Sequence, residues 1–335
     1  MKKIKYLFRR IKNMSYKAFL DTAREIKEKT GKNRLFIICD MTWCGLKYQA
    51  GYLDYKLFEM YDMNKYQRKT VVTRGINNSF IVKYNDPKFM KYLNSKIQFN
   101  QIFSQYINRD WLELKNEEEL VTFIKKHQKI VAKPVNLMCG KGIEIIDTKD
   151  KNIHELYDTL ILNQQLLIEE VAIQTKEMSN LHPDSINTIR VVTLLGEILA
   201  AFLRIGNNYE KVDNFNHGGI MAPIDLETGE IKFQGIDKAG NLYEFHPLTK
   251  TPIKGFKIPR WEEVKDLCEK ATLEIPQLGY VGWDVCIGKK KCFLIEGNEF
   301  PGHDVYGLPP HRINNIGLYP RFKEIEMRKK QWKYF

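Results

Sequence analysis

The sequence predicts an α+β fold, on three observations. Apolar residues recur at helical spacing through roughly the first ninety positions. Short β-branched runs then alternate with helical stretches, and glycine-bearing turns short enough to make hairpins join several of the runs.

Taken in order, residues 1–94 read as a mostly helical region. One apolar run, Leu35-Phe36-Ile37-Ile38-Cys39, has the composition of a strand. Helical stretches follow over 95–108 and 116–127. Ile130–Lys133 reads as a strand ended by Pro134, residues 135–142 as a loop carrying Gly140, Lys141 and Gly142, and Ile143–Asp147 as the returning strand. Leu166–Ile173 is a further strand. Ile189–Leu195 and Ile198–Ile205 form a hairpin about Gly196-Glu197, since glycine at the first turn position suits a two-residue loop. In that register Arg190 faces Leu203 and Arg204 faces Ile189, which sends the two arginines to opposite faces. A helix over 261–274 leads into a last hairpin. The expected division is a helical region at 1–94, an N-terminal subdomain at 95–173 and a C-terminal one at 174–335.

The last hairpin is the most informative segment. With Lys289-Lys290-Lys291 as its loop, Gly288 lies opposite Cys292 and Asp284 opposite Glu296, while alternation puts Asn298 on the same side. Trp283, Val285, Ile287, Phe293 and Ile295 then form the core face. Two acids directly across a strand pair repel. Either they face water, or a divalent cation relieves them, and oxygen-only donors suit Mg²⁺ completed by a phosphate.

With 335 residues and 43% hydrophobic content the chain can build a sizeable core. No run approaches the ~20 apolar residues of a membrane span, and the first residues lack the apolar stretch of a secretion signal, so a cytoplasmic protein is expected. The six cysteines show neither zinc-finger spacing nor the density of a disulfide scaffold, which suits reduced core thiols. A net charge of +12 suits nucleic acid, an anionic membrane or an acidic substrate. No zinc knuckle, RNP aromatic motif or helix-turn-helix signature accompanies it, so no nucleic-acid partner is expected. Lys2, Lys3, Lys5, Arg9, Arg10 and Lys12 precede the first acid, Asp21, and Ile4, Leu7, Phe8, Ile11 and Met14 follow helical spacing. Such a basic amphipathic helix either docks on the protein itself or touches anionic lipid at the inner face of the membrane.

Other chemistry-bearing residues each have two readings. Lys133 before the glycine loop suits a phosphate, with backbone amides of Gly140-Lys141-Gly142 closing over it, or marks a plain hairpin. Glu169 and Glu170 before Val171-Ala172 either frame a purine and its ribose or are solvated at a strand end. Arg190 and Arg204, amid apolar strand positions, need a partner: a phosphate, a substrate carboxylate or a neighbouring acid. His217 in Asn216-His217-Gly218-Gly219, and His303 after Pro301-Gly302, sit in loops that face either a substrate or solvent.

In order, these pieces resemble the ATP-grasp superfamily over 96–304. Thr188-Ile-Arg190, Gly196-Glu197, Ala200-Ala201-Phe-Leu-Arg204, Asn216-His-Gly-Gly219 and Asp284…Glu296-Gly-Asn298…Pro301-Gly302 are similar to motifs of ribosomal-protein glutamate ligases. With Asp54-Tyr55-Lys56-Leu57-Phe58 and Arg109-Asp110-Trp111-Leu112 included, the chain resembles the sugar-transfer-associated ATP-grasp proteins of bacterial surface-polysaccharide pathways. The resemblance implies an ATP-grasp fold, two α+β subdomains clasping ATP. It implies Lys96 and Lys133 on the phosphates under the 136–142 loop, Glu170 to Ala172 at adenine, Glu177 on ribose, and one or two Mg²⁺ ions, replaceable by Mn²⁺, on Asp284, Glu296 and Asn298. D-alanine ligases carry an arginine two residues before the metal-binding Asp. This chain has Gly282 there, so that role passes to Arg204, Arg190 or Asn298.

The expected chemistry is carboxylate activation. A carboxylate, implied by the resemblance to belong to an acidic sugar or polysaccharide, becomes an acyl phosphate and is captured by an amino acid or other amine. A sugar phosphotransferase and a nucleotide-binding scaffold without turnover are the alternatives.

Overall fold

The computed structural model describes residues 14–135, 142–207, 215 and 218–329. The chain divides into two compact units, one of residues 1–83 with 302–331 and one of 84–301 with 332–335. The basic segment at Lys2–Lys12 lies outside the described residues.

In the first unit, α1 (Tyr16–Thr30) starts where Ser15 accepts from the amide of Ala18, and Gly31, at φ 71°, ends it. Asn33 then starts α2 (Arg34–Tyr48) by accepting from the amides of Leu35 and Phe36. That cap decides the fate of Leu35–Cys39: the run opens a helix and is not a strand. Ile37, Met41, Cys44 and Tyr48 reach the core at a helical period, which a window of five consecutive apolar residues conceals. The helices α3 (Tyr52–Leu57), α4 (Lys65–Arg68) and α5 (Arg74–Tyr84) follow. A helix at Tyr319–Arg328 returns to this unit and stacks Phe322 on Phe80 at 4.3 Å. Two acid pairs knit the interior. Asp40 takes both nitrogens of the Arg68 fork at 2.6 Å and the Tyr55 hydroxyl at 2.6 Å. Asp54 bonds His303 Nε2 at 2.8 Å and accepts from the amides of Gly51 and Arg74.

The second unit opens with α6 (Pro87–Asn94), α7 (Lys96–Ile102) and α8 (Ser104–Ile107). A four-stranded antiparallel sheet follows, ordered β1-β4-β2-β3, from β1 (Trp111–Glu113), β2 (Lys129–Lys133), β3 (Glu144–Asp147) and β4 (Leu167–Glu170). The helices α9 (Glu117–Lys126) and α10 (Ile153–Leu162) bring Leu120, Ile124, Leu156 and Leu160 onto Ile130, Ala132 and Ile168 of that sheet. Each such side chain contributes roughly 1.5–3 kcal/mol of burial.

After α11 (Lys176–Leu181) comes a seven-stranded antiparallel sheet, ordered β11-β10-β5-β6-β7-β8-β9. Its strands are β5 (Thr188–Leu194), β6 (Glu197–Ile205), β7 (Ile220–Pro223), β8 (Gly235–Ile236), β9 (Leu242–Tyr243), β10 (Tyr280–Ile287) and β11 (Cys292–Asn298). The amphipathic α12 (Trp261–Ala271) lays Trp261, Val264, Cys268 and Ala271 on one face, in a core shared with Val191, Leu203, Val281 and Trp283. The fold is α+β, as the alternation of hairpins and helices predicts.

Candidate active site

Strand β10 is buried along its whole length and lies between β11 and β5, so an acid on it has neighbours on both sides. Asp284 pairs with Glu296 of β11, and Gly282 with Asn298, so the two acids and the amide share a face as predicted. The route to that register differs. The turn spans four residues, Gly288–Lys291, because Ile287 rather than Gly288 is the last partner of Cys292, and a bulge at Ile295 restores the Asp284–Glu296 pairing. The bulge also changes the faces. Cys292 and Leu294 join Trp283, Val285 and Ile287 in the core, while Ile295 lines a cavity on the Asp284 side, in place of the core position expected for it.

The other hairpin needs a larger correction. Its turn is Leu195-Gly196, at φ 51° and 81°, not Gly196-Glu197, with Leu194 paired to Glu197. Leu199 is an extra residue in β6, so Arg190 lies opposite Phe202 and Thr188 opposite Arg204. The added residue flips the alternation, and both arginines reach the same acid. Arg190 is bidentate on Asp284, Nε to Oδ1 at 2.5 Å and Nη2 to Oδ2 at 2.9 Å, while Arg204 Nη1 reaches Oδ2 at 2.8 Å. Arg190 Nη1 also donates to Pro301 O at 3.1 Å. Gly282 makes room for this: a Cβ there would lie 3.2 Å from Pro301 Cα and 3.3 Å from Arg190 Cδ.

Burial alone pushes the Asp284 carboxyl up, but the Arg190 and Arg204 guanidiniums outweigh it and hold the carboxyl well below the ordinary carboxylate range. Glu296 moves the other way. The protein walls around its carboxyl, then the Asp284 charge, push it up, although the residue as a whole is still exposed to solvent. A carboxylate facing a second one is relieved by a cation, and Asn298, whose Nδ2 donates to Glu296 Oε1 at 3.3 Å, adds a neutral oxygen to the set. The donor chemistry therefore fits Mg²⁺.

Across the cavity, Lys133 ends β2. Its Nζ sits 2.5 Å from Glu169 Oε2, and Glu169 Oε1 accepts from Asn100 Nδ2 and Arg109 Nη2, each at 2.9 Å. Glu169 is buried, so its carboxylate faces these three groups rather than solvent. Burial pushes it up, while Arg109 and then Lys133 overcome that and lower it well below the ordinary range. Arg109 also donates to Leu294 O at 2.7 Å, tying Glu169 of the small sheet to β11 of the large one. Lys96 Nζ donates to Pro134 O at 3.2 Å, and burial lowers its pKa.

Arg109, Lys133, Glu169, Arg204, Asp284 and Glu296 line one cavity of about 440 Å³ together with Val131, Ile143, Ile145 and Glu170-Val171-Ala172, whereas Lys96, Arg190 and Asn298 are not part of its wall. Glu170 itself accepts from the Asp110 amide at 3.1 Å, and Asp110 in turn bonds His127 Nε2 at 2.8 Å. Lys126 and then His127 hold the Asp110 carboxyl below its ordinary value, so this trio is a lock of β4 onto the preceding segment. Gly142 takes φ 70° and its carbonyl accepts from Gln165. Glu177 is exposed on α11 and not part of the cavity wall. Gly218, at φ 87°, has its carbonyl held by Asn207, and Gly219 is buried beside it. Gly140, Lys141, Asn216 and His217 lie outside the described residues. His303 belongs to the first unit, on Asp54.

Sequence reasoning did not single out Asn100, and it gave Asp54 and Arg109 no task beyond their places in motifs. A lone buried Asn or Arg in a helical stretch carries no periodic signal, and only its partner reveals it.

Two antiparallel sheets, a lysine-bearing strand before a glycine loop, and facing acid and arginine strands define an ATP-grasp protein. The profile of the family "Sugar-transfer associated ATP-grasp" matches residues 75–327, and the chain belongs to that family. Among curated relatives, it is 25% identical over 219 residues to the DNA beta-glucosyltransferase of Enterobacteria phage T4, covering 61% of this chain and 54% of that protein. It is 30% identical over 137 residues to the glutathione synthetase of Neisseria meningitidis serogroup B, covering 41% and 40%. The chain thus spans about half the length of the curated relatives it matches. Similar solved structures include the ATP-grasp ligase PsnB complexed with a precursor peptide and AMPPNP (14% identity, TM-score 0.40, 64% of this chain and 53% of that one). D-alanine–D-alanine ligase of Bacillus anthracis is another (14%, TM-score 0.39, 77% and 71%). Scores this low carry no argument about chemistry.

Proposed function

We propose that the chain is an ATP-dependent carboxylate–amine ligase that joins an amino acid or other amine to a carboxylate of an acidic sugar, within a capsular or other surface polysaccharide. The observation that carries the reading is the convergence of Arg190 and Arg204 on Asp284, which with Glu296 and Lys133 lines one cavity. Acidic donors for a metal, three cations for phosphoryl oxygens and an apolar slot for a base are what in-line attack on a γ-phosphate needs.

In this reading 95–173 and 174–335 act as the two subdomains about the nucleotide. The Val131, Ile143 and Ile145 side chains hold adenine against Glu170-Val171-Ala172, with Glu169 setting the position of Lys133 and Glu177 approaching ribose only on closure. Lys96 and Lys133 neutralise the phosphates, and the Gly140-Lys141-Gly142 loop excludes water. Bound at Asp284, Glu296 and Asn298, one or two Mg²⁺ ions, or Mn²⁺, supply Lewis acidity to the transferred phosphoryl group. The substrate carboxylate oxygen bonds to the γ-phosphorus as its bond to the ADP oxygen breaks. The amine then bonds to the acyl carbon and loses a proton, and phosphate leaves. Arg190 and Arg204 spread the charge on the phosphoryl and acyl oxygens, while Asn216, His217, Gly218 and Gly219 line the approach of acceptor and amine.

The family name's link to sugar transfer and the +12 charge support an acidic sugar acceptor. The partners are then ATP, that carboxylate and the amine, with no nucleic acid, and the protein works in the cytoplasm at the inner membrane face. The test incubates a uronic-acid oligosaccharide with protein, ATP, Mg²⁺ and pooled amino acids. Phosphate released only when both carboxylate and amine are present, with a matching mass gain on the oligosaccharide, is the expected result. A phosphorylated sugar without amine indicates a phosphotransferase. Nucleotide binding with no release indicates a scaffold.

A further inference from the structure

Helix α2 is apolar on two faces. Ile37, Met41, Cys44 and Tyr48 are buried on one. On the other, Leu35, Phe36, Trp43 and Leu46 are 72%, 58%, 52% and 53% exposed, and Cys39 is exposed among them. At ~100° per residue these five fall within about a third of the helix circumference, and no other residue of the helix shares that arc. Single exposed apolar residues are ordinary; a contiguous uncharged helix face is not.

The charges around the face indicate what covers it. Between Tyr16 and Tyr48 seven lysines and arginines stand against four acids. The only acid of α2, Asp40, is turned to Arg68 and Tyr55. Lys17, Lys27 and Lys47 pair with no carboxylate among the described residues, while Arg34, on the far side of the helix, donates to Leu20 O. Lys47 lies at the edge of the apolar arc with Nζ 4.8 Å from the Trp43 ring centre. The sequence of residues 1–13, which leads into α1, adds six cations and no acid. A second copy of the chain would bring like charges together, whereas an anionic bilayer satisfies both the apolar arc, with Lys47 at its edge, and the net positive charge of the segment that carries it. Among the described residues no helix is long and apolar enough to cross a membrane, so the contact is with the surface. Trp and Lys both place an apolar body in the acyl boundary and a polar tip among headgroups.

We propose that the Leu35–Leu46 face of α2 is a lipid-contact surface that seats the first unit on an anionic bilayer, with Phe36 and Trp43 in the headgroup–acyl boundary and Lys47 on lipid phosphates. This does not rest on the ligase reading. The test is co-sedimentation of the whole chain with phosphatidylcholine vesicles, with and without phosphatidylglycerol. The wild type is expected to bind the anionic vesicles, and Phe36→Ser/Trp43→Ser to bind them about tenfold or more weakly, with its helix content by circular dichroism unchanged because both side chains are exposed. Lys47→Glu is expected to weaken binding to anionic vesicles alone, and Leu35→Ser/Leu46→Ser repeats the first test should the aromatic pair misfold. Equal binding by the double variants, or no binding by the wild type, overturns the proposal. So does a dimer in sedimentation velocity that Phe36→Ser/Trp43→Ser dissolves, or binding that depends on residues 1–13 and is indifferent to the α2 variants.

Discussion

Arg204 Nη1 and Arg190 Nη2 meet on the same oxygen of Asp284, at 2.8 and 2.9 Å. One buried carboxylate therefore holds two half-buried guanidiniums on a single sheet face, and its removal leaves both without their counter-charge. Asp284→Asn should cost about 3 kcal/mol of stability, read as a lower urea midpoint at neutral pH, since breaking a buried pair exposes the uncompensated partner. An unchanged midpoint would mean that the two arginines do not depend on Asp284.

Acid should act through the same group. The folded Asp284 and Glu169 carboxyls both lie below the ordinary range, so their contribution is fully present above the unfolded value of about 4 and is lost as pH falls through it toward the folded values. Urea midpoints of the wild type should decline steeply below about pH 4. Asp284→Asn should show a shallower decline, and parallel curves would rule out Asp284 as a source of acid sensitivity.

Glu296 has the opposite sign. Its folded carboxyl is raised, so its favourable contribution is present below the ordinary value and is lost as pH rises through the folded one. At neutral pH without metal it repels Asp284. Glu296→Gln should leave metal-free stability unchanged or improve it by less than about 1 kcal/mol, the scale of a like-charge pair across strands. It should also abolish the rise in Tm that Mg²⁺ with ADP confers. A rise equal to the wild type's would remove Glu296 from the metal set.

How far the site is legible in the sequence depends on parity. Asp284 and Glu296 face each other as strand alternation requires, yet only because a four-residue turn and the extra Ile295 shift the register by compensating single steps. Arg204 had no such compensation: one unannounced residue, Leu199, turned it from the far face to Asp284. Bulges leave no mark in composition, since Ile295 and Leu199 are ordinary strand residues. The α2 run was misread for a related reason, that five consecutive apolar residues fit a strand as well as a helix with two apolar faces. What survived was the chain order of hairpins and helices, which is set by turns and periodicity over longer windows. Buried polar partners such as Asn100 and Arg109 needed the third dimension.

Lys133 and Glu169 divide a task that separate measurements can resolve. Lys133→Ala removes the cation proposed to meet the phosphates but leaves Glu169 bonded to Arg109 and Asn100, so stability should fall little while the KM for ATP rises roughly tenfold to a hundredfold. Glu169→Gln should raise the same KM by loosening Lys133 and should also lower the urea midpoint, because Arg109 loses its counter-charge in a buried setting. Equal stability losses in the two variants would contradict this division.

The substrate reading is open to salt. The +12 charge creates a field that attracts a polyanion from beyond contact distance, and screening shortens that reach to about 8–10 Å at physiological ionic strength. If the acceptor is an acidic polysaccharide, each chain presents many carboxylates to that field, and its apparent KM should climb steeply as salt is added. The KM of a small neutral amine should barely move in the same titration, because it carries too little charge to be steered. ATP provides the internal control, since in the proposed mode its phosphates meet the half-buried cations Lys96 and Lys133 at short range and salt should act on it more weakly than on the polymer. An acceptor KM flat with salt, or equal turnover of a small monocarboxylate, would redirect the assignment to a ligase of small metabolites and leave the surface charge to other partners.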